Sequence, residues 1–346
     1  MKNKTANKKI VITGGHLAPA VGVIPVLQKF NWEIYFLGRK QATEGSSSFS
    51  FEYKTMAEER RIKFYDINPG RWQREFSLHT IPSLLRIPIS IIKSINIIKN
   101  IRPKIILTFG SYVGVPAAIA GWLLNIPVIL HIQTIMPGRA DYLISKFAKK
   151  ICVSWKETEK YFSKEKVVLT GNPVINDKIP AFAKASAGRQ ISNKKIIYIT
   201  GGNQGSQIIN KAVAEILPWL TENFMVYHQC GEIDFNKFEI RPPVGGLKFE
   251  NYVAKPNFSF EEAGEIMKRA DLVVTRAGVN TIVQLLYLKK PAIIIPIPWS
   301  NNNEQESNAI KMKDSQLGII INQKDLNGQI LKQNIELMME NPILPY

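Results

Sequence analysis

Short β-branched runs, each followed by a longer stretch with helical spacing, alternate along the whole chain. The run Lys9-Ile-Val-Ile12 is followed by Ala20, Val21, Val23, Ile24, Val26 and Leu27. The second half opens the same way, with Ile196 to Thr200 ahead of Ile208, Ile209, Ala212, Val213, Ile216 and Leu217. Apolar residues three and four apart mark the buried stripe of a helix, and short unbroken apolar runs mark strands covered on both faces. On this pattern strands fall at 9–12, 33–37, 63–66, 104–108, 128–131, 150–153 and 166–169 in the first half. In the second half they fall at 195–200, 224–229, 247–251, 271–275, 292–295 and 318–320. Strands alternating with helices at this interval are βαβ units. The chain is therefore expected to be α/β, with two doubly wound, Rossmann-like domains of parallel strands. The boundary is placed after Gly171-Asn-Pro-Val174, giving domains 1–175 and 176–346. Residues 176–195, which include Ala-Lys-Ala-Ser-Ala-Gly and show no apolar period, read as a linker.

One helical segment breaks the pattern. Residues 81–101 carry Leu84, Leu85, Ile87, Ile89, Ile91, Ile92, Ile95, Ile97, Ile98 and Ile101, interspersed with Arg86, Lys93 and Lys99. The apolar positions cover more than the single stripe that one-sided burial needs. Two readings stay open: a well-covered core helix, or a helix whose second apolar face, rimmed by cations, rests on a lipid surface. Trp122 would extend such a face.

Composition narrows the class. A chain of 346 residues is long enough for two domains with a core each. Cys152 and Cys230 form neither a disulfide framework nor a zinc ligand set, which points to a reducing compartment. The basic N-terminus is followed by only a short apolar run, Ile10 to Ile12, unlike a signal peptide. No run approaches the roughly 20 apolar residues of a membrane span, so a soluble or peripheral protein is expected. Lys plus Arg number 45 against 28 Asp plus Glu, a formal net charge of +17. That field favours anionic partners such as nucleic acid, anionic lipid or a phosphorylated substrate, although lysine on solvated faces accounts for part of it.

The candidate chemistry lies where the strands end. Thr13-Gly-Gly-His16 and Thr200-Gly-Gly-Asn203 each carry a strand through paired glycines into a helix N-terminus, where backbone N–H groups and the helix dipole face an anion. Two such turns, one per domain, point to a ligand with phosphates held between similar halves. His16, directly after the first pair, can take a proton from an attacking hydroxyl. His131 and His228 read as structural or orienting residues, and His79 has no context. The chain has no G-x-G-x-x-G with a following acidic residue, no G-x-x-x-x-G-K-[ST] and no G-x-S-x-G. Dehydrogenase, P-loop NTPase and serine hydrolase readings therefore fail. It also has no D-x-D pair, so nothing points to a metal or an organic cofactor. A leaving diphosphate would be met by helix N-termini, backbone N–H groups and a cation such as Arg276.

At these residues the chain resembles glycosyltransferase family 28, the bacterial GT-B enzymes that add N-acetylglucosamine to lipid I to make lipid II in peptidoglycan synthesis. Thr13-Gly-Gly-His16 with Pro19-Ala20 is similar to the family's Thr-Gly-Gly-His-x-x-Pro-Ala, and Gly110-Ser-Tyr112 with Pro116 to its Gly-Gly-Tyr-x-x-x-Pro. Next come His131-x-Gln133 with Pro137-Gly138, Gly171-Asn-Pro-Val174, Gly201-Gly-Asn-Gln-Gly205 with Asn210, and His228-Gln-x-Gly231. Ala270-Asp271, Arg276-Ala-Gly278 with Thr281, and Gln305-x-x-Asn308-Ala309 close the series in family order.

The resemblance implies two Rossmann-like domains facing across a cleft and no metal. His16 is implied as the general base, with Tyr112 and Gln133 on the acceptor side. The UDP-sugar side would comprise Thr13 and Thr134, with Gly14 and Gly15 meeting acceptor or donor phosphate; Asn203, Gln204 and Gly205 for the diphosphate, with Arg276; and Val253 for uracil. Gly278, Val279, Asn280, Thr281 and Gln284 would hold ribose and phosphate, and Gln305 and Asn308 the sugar hydroxyls. Leu84, Leu85, Ile91, Ile95 and Trp122 would form a membrane-docking patch. The implied partners are UDP-N-acetylglucosamine, lipid I and an anionic membrane surface at the cytoplasmic face, with no nucleic acid. The chain departs from the family pattern at Ile132 (a Glu), Thr134 (an Asn), Ile175 (an Arg), Asn203 (a Ser) and Gln284 (a Glu). It also lacks the extra upstream glycine pair of the first turn. Two further readings are another lipid acceptor, and a catalytically impaired relative that binds UDP-sugar or lipid.

Overall fold

The computed structural model describes residues 8–41, 49–60, 62–70, 80–174, 194–239 and 251–340. The chain forms two compact units, Met1–Pro173 and Val174–Tyr346.

In the first unit β1 (Lys8–Gly15), α1 (Leu17–Lys29), β2 (Trp32–Gly38), a short helical turn α2 (Phe51–Tyr53) and β3 (Lys63–Asp66) precede the long α3 (Thr80–Ile101). Then follow β4 (Ile105–Phe109), α4 (Ser111–Leu123), β5 (Val128–Ile132), α5 (Arg139–Phe147), β6 (Lys150–Val153) and β7 (Val167–Leu169). Among the described residues the sheet runs β3-β2-β1-β4-β5-β6-β7, every pairing parallel. β1 is buried from Ile10 to Gly14, as a central strand covered on both faces should be. Val11, Ile106 and Leu130 from the strands meet Ile98, Ile101, Val113 and Ala117 from α3 and α4 in one core.

The second unit holds β8 (Ile196–Thr200), α6 (Gln207–Asn223), β9 (Met225–Gln229), α7 (Glu232–Glu239), β10 (Tyr252–Lys255), α8 (Phe260–Arg269) and β11 (Leu272–Thr275). It ends with α9 (Val279–Leu288), β12 (Ala292–Ile294), α10 (Glu304–Asp314), β13 (Gly318–Ile320) and α11 (Gly328–Glu340). Its sheet runs β10-β9-β8-β11-β12-β13, again parallel. Alternate residues of β8 face opposite sides. Ile197 and Ile199 pack with Val213, Leu217, Leu331 and Ile335 of α6 and α11. Tyr198 packs with Met267, Ile282, Leu285 and Met312 of α8, α9 and α10. Helices on both faces make this a doubly wound sheet.

Both sheets reverse direction beside their first strand, between β1 and β4 and between β8 and β11. Open α/β sheets bind ligands at such a switch point, beyond the carboxyl ends of the strands. The two Thr-Gly-Gly turns lie there. The predicted strands recur with one shift: the strand expected at 247–251 is Tyr252–Lys255, which pairs with β9 through Tyr252 and Val226, and residues 247–250 lie outside the described ones. Most of the expected linker, Ile175 and His79 lie outside them too. Among the described residues no helix is long and apolar enough to cross a membrane.

Candidate active site

In the first unit β1 ends in a bulge: Thr13 pairs with Thr108 and Gly15 with Phe109. The Thr13 hydroxyl donates to Thr108 Oγ1 at 2.8 Å, tying the two switch-point strands together. His16 follows in extended conformation and precedes α1 without a side-chain bond to the helix backbone, which leaves its imidazole uncommitted to the cap. The ring is half-buried, in contact with solvent but enclosed by protein on most sides. Burial pushes its pKa down to about 4, so at neutral pH it is the free base that proton abstraction requires.

Beside the turn, Arg39 Nη1 donates to the Tyr112 hydroxyl at 3.1 Å, and the Arg39 amide donates to Glu52 Oε2 at 3.0 Å. The other oxygen of Glu52 lies against Gly14, where a Cβ would collide with it. This glycine makes room for a carboxyl group. Burial, helped by Asp66 and opposed by the Arg39 amide and charge, pushes Glu52 up to about 7.

His131 Nε2 donates to Gly171 O at 2.9 Å. Its Nδ1 accepts from Gln133 Nε2 at 2.9 Å, and the same amide also donates to His131 O. These bonds fix a neutral Nε2–H tautomer. Burial and the neighbouring His16 both hold the His131 pKa below the usual value.

In the second unit the Gly201–Gly205 turn leaves Asn203 and Gln204 exposed. Gly205 is in the left-handed region at φ +75°, and a Cβ there would strike Cys230 O. The turn is thus pressed onto Cys230-Gly231 after β9. Ser206 caps α6 by accepting from Ile209 N, and Arg276, after β11, donates from Nη2 to Ser206 Oγ at 2.8 Å and from Nη1 to Ile295 O at 3.1 Å. Arg276 is 8% exposed. Burial lowers its pKa only to about 10, so it stays charged. Among the described residues it makes no ion pair, and both its partners are neutral. A buried cation beside a helix N-terminus is a strong attraction for an anion. Gly278 caps α9, whose Asn280, Thr281 and Gln284 are half-buried on one face. Gln305 accepts from Ile297 N through Oε1 at 3.0 Å, which leaves its NH₂ group for other partners. No group of three or more His, Cys, Asp or Glu side chains converges among the described residues.

Residues 13–153 match the glycosyltransferase family 28 N-terminal domain, and residues 196–345 the glycosyltransferase family 28 C-terminal domain. A Bacillus cereus protein named UDP-N-acetylglucosamine–N-acetylmuramyl-(pentapeptide) pyrophosphoryl-undecaprenol N-acetylglucosamine transferase 2 is 32% identical over 341 residues, covering 96% of this chain and 92% of that protein. The chain belongs to glycosyltransferase family 28. The Clostridium tetani transferase of the same activity is 30% identical over 343 residues, covering 96% and 90%. The structure of Acinetobacter baumannii MurG superposes with a TM-score of 0.62 at 22% identity, over 96% of this chain and 90% of that one, which speaks for the GT-B fold.

Within this family 28 chain several expected site residues turn out to be used internally. Asn308 is fully buried and donates from Nδ2 to Ala277 O at 3.0 Å. It therefore fixes the Arg276–Gly278 turn and has no surface to offer a sugar. Val279 is buried in the first turn of α9, leaving only its backbone for a ligand. Gln133 is 2% exposed and folded back on its own strand. The Thr134 hydroxyl donates to Met136 O at 2.9 Å. Ile132 fills the core beneath. Val253 lies half-buried in β10, the last strand of its sheet among the described residues.

The membrane patch needs correcting. Ile95 packs against the core and Ile91 is half-buried, while Ile89 and Ile92 are the exposed pair, at 62% and 59%, with Trp122 at 56%. The face turned outward is offset from the one chosen because Ser90, Ser94 and Ile98 form the inward stripe. Leu84 and Leu85 belong to α3, but their side chains lie outside the described ones. Arg39 and Glu52 were not anticipated at all. Arg39 follows no motif, and only its place directly after a buried strand end could have marked it.

Proposed function

We propose that the chain is an inverting glycosyltransferase that moves N-acetylglucosamine from UDP-N-acetylglucosamine to the MurNAc 4-hydroxyl of undecaprenyl-diphospho-MurNAc-pentapeptide, converting lipid I to lipid II as a peripheral protein at the cytoplasmic membrane face. The observation that carries this reading is Arg276, a buried guanidinium with neutral partners at the N-terminus of α6. A UDP leaving group needs such a charge. His16, neutral at physiological pH, takes the proton of the 4-hydroxyl as that oxygen attacks the anomeric carbon. The bond from that carbon to the UDP oxygen breaks on the opposite side, which inverts the centre. The charge released on the β-phosphate is received by Arg276 and the backbone amides of the Gly201–Gly205 turn. Asn203, Gln204, Asn280, Thr281, Gln284 and Gln305 supply neutral donors and acceptors suited to hydroxyls and a pyrimidine.

Mass spectrometry after incubation with UDP-N-acetylglucosamine and lipid I tests the reaction, with product heavier by one N-acetylglucosamine expected. Calorimetry tests the site: Arg276→Gln should weaken UDP binding by roughly 10- to 100-fold, the usual loss of a charge-assisted contact. Absence of UDP binding to the wild-type protein would remove the reading. UDP binding without product would favour the impaired relative, for which Gln284 in place of a carboxylate speaks.

A further inference from the structure

The strand order places β1 between β2 and β4, so the Thr13–Gly15 turn lies between the residues that follow those two strands. Arg39 comes directly after β2, and Tyr112 stands in the first turn of α4, directly after β4. Their 3.1 Å hydrogen bond therefore spans the carboxyl end of β1, above the paired glycines. Glu52 fixes the near side of this bridge by accepting from the Arg39 amide while its second oxygen rests on Gly14. The Ser50 hydroxyl adds a bond to Arg39 O. Among the described residues the guanidinium makes no ion pair, and the Tyr112 phenol is its side-chain hydrogen-bond partner. Arg39 is thus anchored through its backbone and steered by a phenol, with most of its donors without a partner among the described residues, beside the turn that leads into α1.

We propose that Arg39, held across the first glycine turn by Tyr112, is the cation that receives the diphosphate of a lipid-linked acceptor. A planar guanidinium presents parallel N–H groups that match two phosphate oxygens. The turn adds backbone N–H groups and the helix dipole. The lipid side follows from α4 itself. Tyr112 opens that helix and the exposed Trp122 lies ten residues on, about 15 Å along the axis at 1.5 Å per residue. A diphosphate held at Arg39 then lies about 15 Å along the helix from an exposed apolar side chain of the same unit, a span that a long prenyl chain can cover. The proposal rests on the glycosyltransferase reading for the identity of the acceptor, but its test does not need turnover.

The experiment compares flotation with neutral phosphatidylcholine vesicles containing undecaprenyl diphosphate or undecaprenol, together with steady-state kinetics on lipid I. The wild-type protein should prefer the diphosphate vesicles. Arg39→Gln should lose that preference and raise the acceptor KM roughly 10- to 100-fold. The donor KM should stay within about twofold, and Arg39→Lys should fall between, since it keeps the charge without the fork. An unchanged acceptor KM and vesicle preference in Arg39→Gln overturns the proposal. So does a parallel rise in both KM values, which marks a structural role. If the wild-type protein yields no product yet prefers diphosphate vesicles through Arg39, the failure belongs to the transferase reading and the anion site stands. If it shows no preference, the anion site itself falls.

Discussion

His16 and Arg276 both sit where burial opposes charge, and only one of them gives its charge up. Histidine starts near 6.5, so a fall to about 4 makes it neutral at pH 7; arginine starts so high that a fall to about 10 leaves it a cation. The same physical pressure thus leaves one side chain neutral and the other a cation. His16→Asn should lower turnover by roughly 10²- to 10⁴-fold, the worth of a positioned base, while UDP affinity measured by calorimetry stays near wild type. The sign of the pH effect follows from the shift. Above its folded pKa the ring is free to accept a proton, so the His16 contribution to kcat/KM should be level from neutral pH down to about 5 and fall as pH drops through 4. A limb centred near 6.5 would show that the ring titrates as in water. Sequence singles out these two residues because each stands at a strand end beside glycine, and the structure places both at the carboxyl ends of their strands. At Gln133 and Asn308 sequence leaves the direction of the amide open for a physical reason: it offers the same groups to a sugar and to its own backbone, and here each donates to a backbone carbonyl.

Strands were the most legible elements. β1, β4, β8 and β12 are apolar runs covered on both faces, and the rule for such runs needs no tertiary knowledge. β10 lies later than expected because Leu247-Lys-Phe-Glu250 alternates apolar and polar residues as a strand does, while the place of Tyr252–Lys255 comes from pairing with β9. What no periodicity shows is how β9, β10 and α6 lock together. His228, fully buried, accepts from the Tyr252 hydroxyl through Nδ1 at 2.7 Å and donates from Nε2 to Asn210 Oδ1 at 3.0 Å. Asn210 Nδ2 in turn donates to Cys230 O and to Asp234 Oδ2, each at 2.8 Å. Each side chain in this hydrogen-bonded relay has its partner, and the relay ends on the Cys230-Gly231 backbone that presses against the Gly205 turn. Asn210→Ala would strand the His228 N–H in the core. We expect it to destabilise the second unit by about 1–3 kcal/mol in urea denaturation, with weaker UDP binding at temperatures where the protein stays folded. Burial also holds His228 down to about 3. The unfolded chain therefore binds a proton below about 6.5 that the folded one refuses, so this residue makes stability fall as pH drops from 6.5 toward 3.

At the scale of the whole molecule, charge and apolar surface have to be weighed together. A formal net charge of +17 draws the protein toward any anionic surface, but charge alone gives loose, salt-sensitive attraction without a defined face. The first unit exposes apolar side chains that could define one: Ile89 and Ile92 on α3 and Trp122 on α4, with exposed Lys93 and Lys99 on the same helix as the isoleucines. Sequence made the excess of apolar residues in α3 plain. It left open which of them α3 buries, because a helix apolar on more than one face has no unique inward stripe until its neighbours choose one. Here β4 and α4 choose Ile98 and Ile101, so the outward positions are fixed by elimination. The replacement of both Ile89 and Ile92 by Ser should leave the thermal midpoint nearly unchanged, since neither packs in the core, and should weaken binding to anionic liposomes in a sedimentation assay. Ile95→Ser should do the reverse, lowering the midpoint through loss of core packing while leaving liposome affinity of the folded protein intact. Salt separates the two forces. Raising ionic strength should remove the lysine contribution in both the wild type and the Ser pair, and the binding that survives at high salt should be present only where Ile89 and Ile92 remain. Equal residual binding in the two proteins would mean that α3 does not touch the lipid, and that positive charge alone brings this chain to a membrane.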